Sequence, residues 1–379
     1  MAAKPRARST ATPAPSSPTR RPSSRRGQRP FADRPIDIAL QGGGSHGAFT
    51  WGVLDALLED PRLVPDGISG TSAGAMNAAV LASGYAQGGR TGARENLSAF
   101  WRALGGITDC WAPAPGSLPP PGAVSDATTP PAWAFNRDQW PGYALWESWL
   151  RLWSPYQLNP FNLSPLRDLV RRHVDEDALR RGPVKVYVTA TSVRTGQPRV
   201  FSGAELSIDA LMASACLPQS AQAVTIDGEP YWDGGFSGNP ALWPLIYDTP
   251  THDLLLVQIN PLRRENTPVT AADISDRINE ITFNASLVAE MRAIAFVQKL
   301  LRQRQVDPTR YKDLRLHRIA DESGLAPYNA SSKLNTDPRL LQALFSIGRG
   351  AGERWLAEHA DAVGLRSTVD IDKVFLQPR

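Results

Sequence analysis

The stretch that decides the fold is "DGISGTSAGAMNAAVLAS", residues 66–83 of the 379-residue chain. Its first part predicts a very short strand, Gly67–Ser69, and its run of small residues predicts a helix from Ala73 to Ser83. Ser72 would then lie on a sharp turn between strand and helix. On such a turn a serine has strained backbone angles and faces the free N–H groups at the start of the helix.

Two glycines flank this serine, so that Gly70 to Gly74 matches the pattern G-x-S-x-G. Without side chains at Gly70 and Gly74, the strand and the helix can approach closely enough to present the serine as a nucleophile. The pattern alone is weak, because short runs of small residues are common, and an ordinary Gly-Ser turn is the alternative. The preceding strand and the following helix favour a nucleophile elbow with Ser72 as the catalytic residue.

A second glycine-rich stretch is "QGGGSHGAFTWG" at residues 41–52. It follows a predicted strand, Ile36–Leu40, and opens a predicted helix, Ala48–Glu59. Such a stretch could hold a phosphate, a dinucleotide, or a carbonyl oxygen that becomes negative during acyl transfer. The dinucleotide pattern G-x-G-x-x-G is present, but the acidic residue about twenty positions on, Asp60, falls in a predicted loop instead of ending a second strand.

An oxyanion hole is therefore the favoured interpretation of this stretch. Gly42, Gly43 and Gly44, here named the glycine loop, can direct successive backbone N–H groups to one point because no side chains intervene. A third element is "WDGG", residues 232–235, in a segment rich in turn residues. Asp233 has no bulky neighbour following it in sequence, although Asp-Gly-Gly by itself is also a common plain turn.

Taken together, these three motifs resemble those of the patatin-like phospholipases. The block "ASACLP", residues 213–218, is similar to a further motif of that family, and all four occur in the family's order between Ile36 and Asn260. The resemblance implies hydrolysis of lipid acyl esters by a dyad of Ser72 and Asp233, with neither a catalytic histidine nor a metal or other cofactor. One departure is His46, which stands where the family commonly has Lys or Arg.

The order of elements predicts an α/β fold with a central, mostly parallel sheet covered by helices on both faces, because strands alternate with helices along the chain. Further strands are predicted at Val184–Thr191 and Asp253–Ile259. A long helix is predicted at Asp273–Gln303, and we expect its apolar positions to face the core; among them are Ile274, Ile278, Ile281 and Met291. Asp337 and Pro338 are typical of the start of a terminal helix.

Composition divides the chain into a tail and one large domain. Residues 1–34 contain nine Lys or Arg and a single acid, for a net charge of +8, so the remainder carries −4. The tail lacks large apolar residues and is predicted to be disordered, whereas residues 35–379 form the predicted hydrolase domain. Within it we expect a Trp- and Pro-rich insertion at about 105–160, which contains most of the tryptophans, and a C-terminal helical part at about 270–379.

Charge and hydropathy also bear on partners and location. The mildly acidic domain gives no reason to expect nucleic-acid binding, and no apolar run is long enough to cross a membrane. The two cysteines, Cys110 and Cys216, are too few for a disulfide framework. We therefore expect a cytoplasmic protein that acts on lipid or acyl esters and has peripheral contact with membranes. The basic tail is interpreted as a solvated segment, with electrostatic attraction to anionic lipid or nucleic acid as the alternative.

Two other functions are compatible with the same motifs. An α/β-hydrolase would use Ser72 and Asp233 with a histidine later in the chain, either His252 or His317. A lipid-binding protein would keep the fold without turnover. The intact serine, aspartate and glycine loop favour an enzyme over a binding protein.

Overall fold

A computed structural model of the chain describes residues 33–107, 132–139 and 152–377, together with residues 1, 142 and 149. The described residues form eight strands, which are β1 (Arg34–Leu40), β2 (Leu63–Thr71), β3 (Lys185–Ser192), β4 (Pro198–Ser202), β5 (Val224–Ile226), β6 (Glu229–Asp233), β7 (Asp253–Val257) and β8 (Arg315–Ile319). One sheet contains all of them, in the order β5-β6-β3-β2-β1-β7-β8, with β4 paired to β3. The pairs formed by β3-β2-β1-β7-β8 are parallel, and those of β4, β5 and β6 are antiparallel.

The α-helices lie between and after these strands along the chain. In the described residues they are α1 (Gly47–Glu59), α2 (Ala73–Gly105), α3 (Pro155–Leu158), α4 (Pro165–His173), α5 (Glu176–Arg181), α6 (Ile208–Ser214), α7 (Trp243–Asp248), α8 (Ala271–Arg302), α9 (Glu322–Leu325) and α10 (Pro338–His359). Short 3-10 turns precede α1 at Gly44–His46 and α10 at Ala330–Leu334. Asp337 caps α10 through its side chain, with Pro338 in the first turn, as the sequence predicts.

Two hydrophobic cores lie on opposite faces of the sheet. Alternate side chains of a strand point to opposite faces, and on β1 Ile38 belongs to one core while its neighbour Ala39 belongs to the other. The same division separates Leu255 from Leu256 on β7. Strands with both faces buried are typical of a parallel sheet between helical layers. The predicted α/β fold with a mostly parallel sheet is thus confirmed.

Two predicted elements are longer than the sequence suggested. Strand β2 begins at Leu63, not at Gly67, because Pro65 and Asp66, which resemble a turn, are accommodated where the pairing of β1 and β2 shifts register. Helix α2 continues from Ser83 to Gly105 across a break at Gly88, which has a φ of −141° and a ψ of 21°. The break explains why one apolar periodicity does not run through the whole segment.

The prediction that the long helix α8 directs its apolar stripe to the core is wrong for its first half. Ile274, Ile278 and Ile281 are 43%, 60% and 54% exposed, whereas Met291 in the second half is buried. Glu280 and Asn284 face inward instead. Glu280 can be buried because Arg264 and Arg277 both pair with it, so polar partners from distant segments decide which face of this helix turns inward.

Two sequence predictions lie outside the described residues. The basic tail at 1–34 is described only at residue 1 and from residue 33 onward, and the Trp- and Pro-rich insertion is described only in part. Both therefore stay predictions, as do the domain boundaries derived from them. Among the described residues, no helix is long and apolar enough to cross a membrane.

Candidate active site

Ser72 lies on the turn between β2 and α2, where the sequence predicts it. Its φ of 53° and ψ of −121° are rare for a residue with a side chain, and only 8% of the residue is exposed. Its backbone N–H donates to Ser214 Oγ over 2.9 Å. Such strain is retained where the surroundings hold it in place, and it occurs most often at functional sites.

The two glycines around Ser72 are required by close packing. A Cβ atom at Gly70 would lie 2.5 Å from the carbonyl carbon of Gly74, and one at Gly74 would overlap the carbonyl oxygen of Leu40 at the end of β1. Side chains at either position would therefore force β2, α2 and β1 apart. The structure confirms the close approach that the sequence pattern implies.

Asp233 is the last residue of β6 and is 1% exposed. The sequence suggested a turn-rich loop around it, but β6 pairs with β3 and carries the carboxyl group to the end of β2. Its Oδ1 accepts the N–H of Gly235 over 2.7 Å, and the side chain of Ser72 lies near the carboxyl group. Burial raises the pKa of Asp233 to about 7, and the interactions with Gly235 and Ser72 oppose that rise.

The "ASACLP" block supports both of these residues. Ser214 accepts the N–H of Ser72, as described above, and the carbonyl oxygen of Cys216 accepts the N–H of Asp233 over 2.7 Å. Its helix and the turn after it thus connect the serine turn to the end of β6. The sequence marked the block only through its resemblance to a family motif, and these two hydrogen bonds give it a physical role.

The glycine loop lies against Ser72. A Cβ atom at Gly42 would stand 2.9 Å from Ser72 Cβ and 2.7 Å from the carbonyl oxygen of Thr71. The N–H of Gly42 donates to Asn239 Oδ1 over 2.7 Å, so this N–H is already used within the protein. In the described part of the chain, the N–H groups of Gly43 and Gly44 donate to no protein oxygen.

Residues that the sequence did not indicate hold this loop. Gln41 Nε2 donates to Asn284 Oδ1 over 3.0 Å, and Gln41 Oε1 accepts the N–H of Asn260 over 2.9 Å. Asn260 Nδ2 in turn donates to the carbonyl oxygen of Gly42 over 3.0 Å. These amide side chains come from segments far apart in sequence, and asparagine is too common for its type alone to mark them.

His46 cannot serve as the cation of the site. Its Nε2 lies 2.7 Å from Ser332 Oγ, and burial, together with the charge of Lys333, lowers its pKa to about 3. The ring is therefore neutral at physiological pH. The departure from the family's Lys or Arg at this position thus removes a positive charge, and the 3-10 turn that contains Ser332 and Lys333 contacts the loop instead.

The two histidines considered for a catalytic triad have other partners. His317 is fully buried on β8, with Nε2 3.1 Å from Asp253 Oδ1 and Nδ1 3.0 Å from Thr368 Oγ1. His252 Nδ1 lies 3.0 Å from the carbonyl oxygen of Asp313. Neither contacts Ser72 or Asp233. The described residues also contain no group of three or more His, Cys, Asp or Glu that could hold a metal ion.

Comparison with known proteins is consistent with this arrangement. The family model for patatin-like phospholipase matches residues 38–246, which is more than half of the chain. The chain belongs to this family. Membership assigns it to the lipid hydrolases, and the matched range includes Ser72, Asp233 and the glycine loop. The comparison with curated protein sequences gives no match.

Solved structures that are similar to this chain include the following two. One is VipD from Legionella pneumophila, with 14% sequence identity and a TM-score of 0.32, over 84% of this chain and 67% of VipD. The other is the heterodimeric complex ExoU-SpcU from the type III secretion system of Pseudomonas aeruginosa, with 18% identity and a TM-score of 0.27. That match covers 67% of this chain and 51% of the other, so this chain spans about half the length of the chain it matches there.

Proposed function

We propose that this protein is a serine acyl hydrolase that cleaves carboxylic ester bonds of lipids through a dyad of Ser72 and Asp233. The observation that carries the proposal is a serine at positive φ, Ser72, whose side chain lies near the buried carboxyl group of Asp233. Burial makes that carboxylate a stronger base than an aspartate in water, since its pKa is raised. A base of this strength can accept the serine proton without a histidine.

The reaction then proceeds in two acyl-transfer steps. Ser72 Oγ attacks the ester carbonyl while Asp233 accepts its proton, and the tetrahedral intermediate carries a negative oxygen. The N–H groups of Gly43 and Gly44, which have no protein acceptor among the described residues, donate to that oxygen. The intermediate collapses, the alcohol leaves with the proton from Asp233, and the acyl group stays on Ser72. Asp233 next takes a proton from water, whose oxygen attacks the acyl carbonyl carbon. The bond between that carbon and Ser72 Oγ then breaks, Asp233 returns the proton to Ser72 Oγ, and the fatty acid is released.

The acyl-ester substrate comes from lipid, in agreement with the family's name, and the protein acts from the cytoplasm with peripheral contact at a membrane. The short glycine elbow at Gly70 and Gly74 presents the nucleophile. Neither a cofactor nor a metal takes part in the steps above, because the base and the oxyanion donors all come from this chain.

Replacement of Ser72 by alanine tests the proposal. We expect Ser72→Ala to lower hydrolysis of a small soluble ester by about 10⁴-fold or more and to abolish labelling by a fluorophosphonate probe, because the members of a catalytic unit fail together. Ser69→Ala is a matched control, since Ser69 is a buried serine near the end of β2, three residues before Ser72, and its hydroxyl donates to the carbonyl oxygen of Ala241. Labelling or turnover that survives in Ser72→Ala would overturn the proposal.

A further inference from the structure

A chain of hydrogen bonds runs from Lys333 to the glycine loop. Lys333 Nζ donates to Asn260 Oδ1 over 2.7 Å, and Asn260 Nδ2 donates to the carbonyl oxygen of Gly42 over 3.0 Å. The Gly42 carbonyl oxygen can only accept, so the NH₂ end of the Asn260 amide faces Gly42 and its oxygen faces Lys333. Asn260 Nδ2 also donates to Gln41 Oε1 over 3.3 Å. Lys333 therefore helps to hold the orientation of the Asn260 side chain from its oxygen end.

The orientation of Asn260 determines where the Gly43 N–H points. In a planar trans peptide, the C=O of one residue and the N–H of the next are directed to opposite sides. Asn260 holds the Gly42 carbonyl on its own side, so the N–H of Gly43 is directed away from Asn260. The backbone N–H of Asn260, which donates to Gln41 Oε1 over 2.9 Å, keeps this residue in place.

We propose that Lys333 is a positioning residue of the oxyanion hole. Acting through Asn260, it holds the Gly42–Gly43 peptide so that the Gly43 N–H meets the developing negative oxygen. This inference rests on the proposed function, because it assigns a partner to the same oxyanion donor. Both Lys333 and Asn260 lie outside residues 38–246, the range that the family model matches, so the C-terminal part of the chain contributes to the site.

Ion pairing with nearby acids does not explain the position of the Lys333 side chain. Glu280, which interacts with its charge, already pairs with Arg264 and Arg277 at 2.5 and 3.0 Å. Asp276, the other acid that acts on it, accepts the backbone N–H of Ala330. Among the described residues, Asn260 is the group to which the Lys333 side chain donates. The backbone of Lys333 also packs closely on the glycine loop, since a Cβ atom at Gly44 would overlap the Lys333 carbonyl oxygen.

Lys333→Met, Lys333→Arg and Lys312→Met form the test. Lys312 is a matched control, because it is another half-buried lysine and donates to the carbonyl oxygens of Leu245 and Thr249, away from the glycine loop. On a small uncharged ester, we expect Lys333→Met to lower kcat by about 10- to 100-fold with KM changed by less than about threefold. Complete loss of one oxyanion donor costs about 10²- to 10³-fold, and a misdirected donor costs less. Lys333→Arg should keep kcat within about fivefold of the parent, and Lys312→Met should leave kcat unchanged.

Hydrogen exchange gives a readout that does not depend on turnover. Backbone amides of residues 41–47 should exchange faster in Lys333→Met than in the parent, with no such change in Lys312→Met. The inference would be overturned if Lys333→Met had the same kcat and the same amide exchange rates as the parent. It would also be overturned if Lys312→Met or Lys333→Arg lost as much kcat as Lys333→Met. If the parent itself hydrolyses no ester and takes no fluorophosphonate label, the proposed function fails, whereas the exchange comparison still decides whether Lys333 orders the loop.

Discussion

The raised pKa of Asp233 makes both activity and stability depend on pH. A carboxylate acts as a base only when ionised, so we expect kcat on a soluble ester to rise with pH through a midpoint near 7. The folded state binds this proton more tightly than the unfolded state, where the pKa is near the ordinary 3.8. Stability from this group is therefore fully present below pH about 3.8 and is lost as the pH rises through about 7.

Burial also raises the pKa values of Asp37 and Glu290 to about 7, so these two acids add to the pH dependence of stability. Both are present in Asp233→Asn and in the parent, so the difference between the two proteins isolates the contribution of Asp233. The melting temperature of the variant relative to the parent should increase between pH 5 and pH 8, and we expect the variant to have lost ester hydrolysis. Thermal unfolding followed by circular dichroism at several pH values measures the difference. A difference that is constant over this range would show that Asp233 is ionised in the folded protein throughout it.

Gly42 and Gly43 should respond differently to a methyl group. Alanine at Gly42 would press on Ser72 Cβ, 2.9 Å away, and on the backbone of Thr71, so we expect turnover to fall by at least about 10²-fold. Gly43 has an extended φ of 171°, and its Cβ would meet Ile259 at 3.3 Å, a contact that small shifts can relieve. Gly43→Ala should therefore retain activity within about tenfold. Equal losses in these two folded variants, measured as kcat on one soluble ester, would contradict this distinction.

At the level of single residues, the sequence predicted those whose role depends on local backbone. One turn contains Gly70, Ser72 and Gly74. The residue types that such a turn requires lie next to one another in the sequence, where a pattern can reveal them. Asn260 and Lys333 are far from the glycine loop in sequence. Asparagine and lysine are common on protein surfaces, so their residue types alone gave no sign of a contact with this loop. Physical contact, and not residue type, distinguishes them, so no local pattern could have indicated them.

Strand β8 places His317 where a catalytic triad cannot use it. The imidazole bonds to Asp253 and Thr368, so His317→Gln should lower the melting temperature through the loss of buried hydrogen bonds, worth about 1–3 kcal/mol when a buried partner stays unsatisfied. We expect kcat on a soluble ester to remain within about threefold of the parent. Loss of turnover in a variant that still unfolds cooperatively would favour a triad over the dyad.

The secondary-structure elements show what apolar periodicity in the sequence cannot predict. The apolar spacing in 273–303 correctly predicted a helix, now α8, but it could not decide which side faces inward. Arg264 lies before the helix, and its ion pair with Glu280 helps to keep that carboxylate buried while the isoleucines at 274, 278 and 281 stay exposed. The predicted start of β2 at Gly67 was too late for a related reason: Pro65 fits in the strand only because of how β2 pairs with its neighbour β1.

The whole molecule completes its site with a part of the chain that carries no recognisable motif. The family match ends at residue 246, before β7, yet β7 pairs with β1 in the middle of the sheet. Helix α10 then packs on α1 so closely that a Cβ atom at Gly348 would overlap the carbonyl oxygen of Phe49. Because α1 begins at the glycine loop, the last third of the chain supports the geometry that the motifs only outline.

The small exposed fraction of Ser72, 8%, and the nearly complete enclosure of Asp233, 1% exposed, also bear on the second half of the reaction. Once an acyl group is attached to Ser72, whatever removes it must reach the carbonyl carbon through the space that the departing alcohol has vacated. That space held the alcohol of the substrate, so an added alcohol no larger than that one should enter it and compete with water for the acyl group. In mixed solvents we therefore expect transesterification alongside hydrolysis, with an upper limit on the size of the acceptor, measured as the ratio of new ester to free fatty acid.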